Sequence, residues 1–278
     1  MRLRLAHLYP REMNLYGDTG NVLTIVRRLQ WLGHSCDVAG VQVGEPFDFT
    51  TVDFVLGGGG PDTGQRNVGQ DLLLRADDIG AAVAAGVPML AVCGMYQLFG
   101  TSYTTKGGEV LAGIGVFDAA TRAGTRRITG DLLVASRFGP LEGYENHSGE
   151  TLLGAGQEPL GRVRRGTGNS RRARTEGAVT GSAIGTYLHG PVLPRNPALA
   201  DHLILQALRR HDGSATLQSL PDTEFVAGTR TPRRRSWSLS RARLSTGGVA
   251  DPAVPTTGQP STTGQRSTTG AGQCDPRP

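Results

Sequence analysis

The first hundred residues alternate between two apolar patterns. Short strand-like runs occur at Leu3–Tyr9, Cys36–Val43, Phe54–Leu56 and Met89–Val92. Between them the period lengthens. Val22, Ile25, Val26, Leu29 and Leu32 recur at helical spacing, with Asp18 offering an N-cap and Gly33 a stop. That pattern predicts a helix over about Asn21–Leu32. A second helix is predicted from about Gln70 to Ala85, closed by Gly86 and then Pro88. Strand and helix in alternation imply an α/β fold with a mostly parallel, doubly wound sheet.

After about Val110 the pattern changes. Short strand-like runs such as Ile128–Ala135 follow, rich in glycine. A last helix is predicted from Asn196-Pro197, an N-cap with proline at the first helical position, to about Arg209. Residues 1–211 therefore read as one domain. Beyond residue 212 come the charge run Arg233-Arg234-Arg235 and a near-repeat, Thr256-Thr257-Gly258-Gln259-Pro260-Ser261, which recurs at Thr262–Ser267 and again from Thr268. A repeat without apolar side chains cannot offset the entropy cost of ordering, so residues 212–278 are expected to be a disordered, low-complexity tail.

Composition narrows the function classes. The chain has 278 residues, 37% of them hydrophobic, enough for a sizeable core. No apolar run approaches the ~18 residues of a membrane span. The start, Met1-Arg2-Leu3-Arg4-Leu5-Ala6, alternates like a strand, and no secretory h-region follows it. A cytoplasmic protein is expected. The three cysteines, Cys36, Cys93 and Cys274, are too few and too scattered for a disulfide framework or a zinc site. No bound metal is expected, and the question becomes which thiol reacts. The net charge is +5, but the tail from residue 211 carries +3 of it, and Lys106 is the only lysine. The +2 that remains for the rest of the chain is unremarkable, and nucleic-acid binding is not expected.

One segment places a thiol where chemistry happens. In Pro88-Met89-Leu90-Ala91-Val92-Cys93-Gly94-Met95-Tyr96-Gln97-Leu98 an apolar strand runs into a cysteine, a glycine and a helical pattern. This is the shape of a nucleophile elbow, in which small neighbours such as Ala91 and Gly94 permit the tight turn. A helix N-terminus there lowers the thiol pKa, and its free N–H groups can hold an oxyanion. A buried strand-end cysteine acting as a small hydrophobe satisfies the same segment equally well.

Gly57-Gly58-Gly59-Gly60-Pro61-Asp62 follows the strand that ends at Leu56. Four glycines let backbone N–H groups approach a ligand closely; a flexible turn or a phosphate loop are the competing readings. The G-K-[ST] ending of a P-loop is missing, and ligands bind where parallel strands end, which favours an oxyanion role. A base is sought among His7, His34, His147, His189, His202 and His211. His189 ends the strand-like run Ala183–Leu188 and enters Gly190-Pro191, the strand-end placement that a base needs. His147, in Gly143-Tyr144-Glu145-Asn146-His147-Ser148-Gly149, is the other candidate.

Together these segments resemble the class I glutamine amidotransferases, and most nearly the cobyric acid synthase-like subgroup. The likeness rests on Cys93-Gly94-Met95-Tyr96-Gln97, on Gly143–Gly149 and on Tyr187-Leu188-His189-Gly190. Within it, Leu15-Tyr16-Gly17-Asp18-Thr19-Gly20-Asn21, Arg127-Ile128-Thr129-Gly130-Asp131 and Gly185–Pro191 are similar to the amidotransferase subunits of lipid II amidation. The resemblance spans roughly residues 3–210. It implies Cys93 as nucleophile, His189 as base, and Gly59 and Gly94 as oxyanion donors. Arg127, with Arg126 as alternative, would pair the α-carboxylate of glutamine, and Gln97 would support the pocket. It also implies a heterodimer with a Mur-ligase-like subunit. That partner would use ATP and magnesium to amidate the D-glutamate α-carboxyl of lipid II with ammonia from L-glutamine, with no cofactor on this chain. One departure stands out. The class I pattern has a glutamate two residues after the histidine, where this chain has Pro191. Corrin amidation, or a catalytically silent module of the same fold, are the alternative readings.

Overall fold

The computed structural model describes residues 1–15, 17–217 and 220. Tyr16 and the repeat-bearing tail from residue 221 lie outside them. Along the chain the elements are β1 (Arg2–Leu8), α1 (Thr19–Trp31), β2 (Ser35–Val41), β3 (Phe54–Gly57), α2 (Asp62–Leu74), α3 (Ala76–Ala84), β4 (Met89–Val92), α4 (Gly94–Phe99) and β5 (Ser102–Thr104). There follow β6 (Val110–Ala112), β7 (Ala119–Ser136), β8 (Gly139–Leu153), β9 (Gly161–Arg165), β10 (Thr175–Glu176), β11 (Ala178–Thr180), β12 (Ala183–Thr186), α5 (Val192–Arg195) and α6 (Pro197–His211).

Among the described residues, the first sheet has the order β11-β12-β4-β3-β1-β2. All its pairings are parallel except β11 with β12. The expected doubly wound α/β sheet is therefore present. Its central strands are buried on both faces: every residue of β3, β4 and β12 is buried. That is the burial that crossover helices on both sides of a parallel sheet impose. The first four strands fall where the apolar runs place them, within two residues.

Two helical expectations need correction. The helix predicted over Gln70–Ala85 is two helices, and the first begins at Asp62, directly off the glycine loop. The break falls at Arg75, whose guanidinium is drawn aside to Asp71 and to the carbonyls of Gln42 and Glu45. Asp18 stands at the N-cap position of α1 but makes no side-chain capping bond. Its carboxylate accepts the Gly59 N–H instead, at 2.8 Å. A tertiary partner has taken the oxygen that local sequence offers to the helix.

The second sheet is the part that periodicity undersold. Its order is β10-β9-β7-β5-β6, with β8 paired to β7. The short runs after Val110 are in fact two long antiparallel strands, β7 and β8, of 18 and 15 residues. Glycines and a register shift between Ala123 and Ile128 interrupt the alternation that would have announced them. This ribbon carries residues 127 and 146–148 to the end of β4, where they line one cavity with Cys93. At the C-terminal end, Ala215 and Leu217 are partly buried against the core. Ordered packing thus extends a few residues past the boundary expected at residue 211.

Candidate active site

β4 delivers Cys93 as the elbow pattern predicts. Cys93 lies between β4 and α4 with φ 51° and ψ −105°, a conformation that side chains rarely adopt. Its N–H donates to the Thr186 carbonyl at 2.8 Å, and its carbonyl accepts the Gln97 N–H at 3.0 Å. The parallel register pairs Val92 with Thr186, so the elbow and the segment leading to His189 leave the sheet side by side.

A cavity of about 300 Å³ opens above this point. Cys93, Gln97 and Arg127 line it, together with Gly60, Gln65, Lys106, Asn146 and His147. Arg126 is not among the lining residues. Arg127 donates from Nε to Asn146 Oδ1, which aims its fork across the mouth. Gln97 is clamped: its Oε1 accepts from Gln65 Nε2 at 3.1 Å and its Nε2 donates to Tyr187 Oη at 3.2 Å. Gln65 also reaches the Gly60 carbonyl. No spacing in the sequence singles it out, since it precedes the apolar period that predicts the helix.

His189 is 2% exposed and lies at the sheet's end, outside the residues that line the cavity. Its backbone forms a bridge with Tyr144 of β8 through both N–H···O pairs. Burial lowers its pKa from 6.5 to about 4, and the nearby His147 and Arg127 add to the effect. The imidazole is therefore neutral at neutral pH, the form that accepts a proton. His147 lines the cavity wall. Its ring stacks on Tyr187 at 3.8 Å, and its Nδ1 meets the Gly149 carbonyl at 2.8 Å.

Two buried carboxylates behind the site escaped the sequence reading. Glu176 accepts from Thr186 Oγ1 at 2.6 Å and from the Tyr187 N–H at 2.8 Å. It thereby fixes the end of the strand that leads to His189. Glu145 accepts the N–H groups of Thr167 and Gly168. Burial raises the Glu176 pKa.

Gly59, expected as an oxyanion donor, has both of its backbone polar groups engaged. The Gly59 N–H is held by Asp18, and the Gly59 carbonyl accepts the Leu15 N–H at 3.0 Å. In a trans peptide the C=O and the next N–H point opposite ways. With its carbonyl turned to Leu15, the Gly59–Gly60 peptide turns the Gly60 N–H the other way, and it is Gly60 that lines the cavity beside Cys93. Gly94, the first residue of α4, offers an N–H that no helical bond consumes.

Among the described residues no group of three His, Cys, Asp or Glu side chains is arranged to hold a metal ion. No helix there is long and apolar enough to cross a membrane.

Residues 4–197 match the CobB/CobQ-like glutamine amidotransferase domain. The GatD subunit of the glutamine-hydrolyzing lipid II isoglutaminyl synthase of Staphylococcus aureus strain N315 is 35% identical over 209 residues, covering 75% of this chain and 85% of its own. The GatD subunit of Streptococcus pneumoniae strain R6 is 35% identical over 247 residues, covering 88% and 94%. The cobyric acid synthase of Photorhabdus laumondii is also 35% identical, but over 159 residues, which cover 51% of this chain and 30% of that protein. Among solved structures, that of PurLQS from Thermotoga maritima superposes with a TM-score of 0.50 at 15% identity, covering 75% of this chain and 100% of that one, a likeness of fold alone.

Proposed function

Because the chain belongs to the CobB/CobQ-like glutamine amidotransferase family, in the group of the GatD subunits, we propose that it hydrolyses glutamine at Cys93 with His189 as proton carrier. The chain is a glutamine-hydrolysing enzyme of lipid II amidation by that kinship. The observation that carries the site assignment is the Cys93 elbow, opening on a cavity that also holds Arg127 and the Gly60 loop.

The chemistry follows from the placements. Arg127 pairs the α-carboxylate, a planar bidentate task suited to guanidinium. Gln97, held from both sides, shapes the side-chain slot. Cys93 gives its proton to neutral His189, and Sγ attacks the carboxamide carbon. The oxyanion that forms is held by the N–H groups of Gly60 and Gly94. His189 returns the proton to the leaving nitrogen, which departs as ammonia and leaves a thioester. Water, deprotonated by His189, then cleaves the thioester to glutamate and free thiol.

Ammonia passes to a partner in this reading, because the sequence holds no P-loop to activate an acceptor carboxyl with ATP. A Mur-ligase-like subunit, carrying ATP and magnesium, amidates the D-glutamate α-carboxyl of lipid II in the cytoplasm. Corrin amidation is disfavoured, since the match spans 30% of the cobyric acid synthase but 85% and 94% of the GatD subunits.

Pro191 occupies the place of the usual third carboxylate, so that position offers the imidazole no acid to orient it. The test is steady-state glutaminase kinetics on the full chain, alone and with the ligase subunit, beside Cys93→Ser. The serine variant should lose turnover while keeping its fold. The ligase should raise kcat more than it lowers KM, the signature of an interaction made mainly in the transition state. Full turnover by Cys93→Ser overturns the nucleophile, and equal kcat in both conditions leaves a self-sufficient pair.

A further inference from the structure

The segment between β1 and α1 takes no part in the chemistry above, yet it touches both loops that do. Its contacts with the glycine loop are dense. Leu15 donates its N–H to the Gly59 carbonyl, and Asp18 accepts the Gly59 N–H. A side chain on Gly58 would strike the Met13 carbonyl at 2.4 Å and Asp18 Cβ at 2.6 Å, so only glycine lets the two segments lie this close.

The first turn of α1, which follows directly, meets the turn after His189. A side chain on Gly20 would strike Pro191 Cγ at 2.3 Å. Asn21 accepts the Leu193 N–H on Oδ1 at 2.9 Å. It then donates from Nδ2 to Asp18 Oδ1 at 3.4 Å. One chain of hydrogen bonds therefore runs from Gly59 through Asp18 and Asn21 to Leu193. Both bridging side chains are buried: Asp18 is 3% and Asn21 is 2% exposed.

The polarity of this chain is forced. Both of its ends are backbone N–H donors. A bridge of two side chains between two donors must supply acceptors at both ends, and one donor–acceptor pair in the middle. An aspartate and an asparagine do this with one bond to each side-chain atom, whereas two asparagines placed alike would turn two amide nitrogens toward each other. Burial without a cationic partner makes such a carboxylate costly, and the Asp18 pKa is raised to about 6. A group that costs stability where an apolar side chain could pack asks for a reason in function.

We propose, resting on the reading of Cys93 and His189 above, that Asp18 is a positioning residue for glutamine hydrolysis. With Leu15 it fixes the two peptide planes of Gly59, and so aims the Gly60 N–H at the oxyanion. Through Asn21 it ties that donor to the start of α5, just past His189, so oxyanion donor and proton carrier keep one register. Asp18 touches neither substrate nor thiol.

The test compares Asp18→Ala, Asp18→Asn and the exchanged pair Asp18→Asn/Asn21→Asp in the full chain with its ligase subunit. Three quantities are read: kcat and KM for glutamine, the rate of Cys93 alkylation by iodoacetamide, and Tm. Alkylation needs the thiolate but no oxyanion donor. Asp18→Ala should lower kcat on the order of 10²-fold, the usual cost of one oxyanion donor, with little change in KM. Its alkylation rate should stay that of the wild type. The exchanged pair keeps every bond. The amide now at position 18 accepts from Gly59 and donates to the carboxylate now at position 21, which accepts from Leu193. The pair should therefore recover most of the kcat that either single change loses. Should Asp18→Ala fail to fold, the exchanged pair beside Asp18→Asn carries the comparison alone. Wild-type kcat in Asp18→Ala, a parallel fall in alkylation, or no rescue by the exchange each overturn the proposal. Cys93→Ala in the same assay separates this from the parent reading: if it turns over glutamine, the nucleophile assignment fails first.

Discussion

The strain at Cys93 is open to measurement without any catalysis. At φ 51° and ψ −105° the residue lies outside the left-handed helical well as well as the ordinary regions. Such conformations cost about 1–3 kcal/mol and persist at functional sites because the surroundings impose them. Consider Cys93→Ala and Cys93→Gly, which both lack the thiol and so differ only in Cβ. At an unstrained buried position alanine wins. Glycine loses about 0.5–1 kcal/mol of extra backbone entropy on folding, and the missing methyl forfeits about 0.8 kcal/mol of burial. Together these favour alanine by about 1.5 kcal/mol. At Cys93, which is 6% exposed, glycine also relieves the strain. With the cost near the upper end, about 3 kcal/mol, the order reverses and glycine is the more stable by about 1.5 kcal/mol. For a domain of this size that is a Tm difference of about 3–6 °C. Urea unfolding of the two variants, followed by circular dichroism at one pH, reads the difference directly. If the alanine variant is the more stable by the full unstrained value, the elbow stores no strain and the reasoning fails.

Three further outcomes are expected. Arg127→Lys should raise KM for glutamine about tenfold or more, because a charge-assisted pair worth about 1.5–3 kcal/mol loses its fork, while Arg126→Lys leaves it unchanged; equal effects on both would move the carboxylate site. For His189, the folded state binds fewer protons than the unfolded chain between pH 6.5 and about 4. Stability is thus lost as pH falls through that window, by about 3 kcal/mol at its lower end. His189→Gln should remove this share of the acid slope in urea melts between pH 7 and about pH 4.5. Asp18, with its pKa raised to about 6, contributes the opposite sign in both proteins, and identical slopes would show that His189 is not buried neutral. Truncation after residue 220 removes the repeat and keeps Ala215 and Leu217, which pack on the core; glutaminase activity and Tm should not change, and a large loss of either would show that the tail packs on the domain.

The sequence by itself determined the parallel sheet and the place of Cys93, the thiol proposed as nucleophile. Both are local matters. Strands buried on two faces must be apolar throughout, and an elbow needs small residues beside the nucleophile, so Met89–Val92, Cys93 and Gly94 announce themselves within one window. The neutrality of His189 was not legible, because it comes from burial beneath residues distant in the chain. The second sheet was half visible, since glycines and a bulge break the alternation of β7 and β8. Only the tertiary structure decided which glycine has its N–H taken up within the chain. Four glycines in a row look alike, and Asp18 looks like a helix cap until the fold brings Gly59 within 2.8 Å of it. A buried carboxylate goes to the donor that burial leaves otherwise unpaired, and which donor that is depends on a contact across 41 residues of chain.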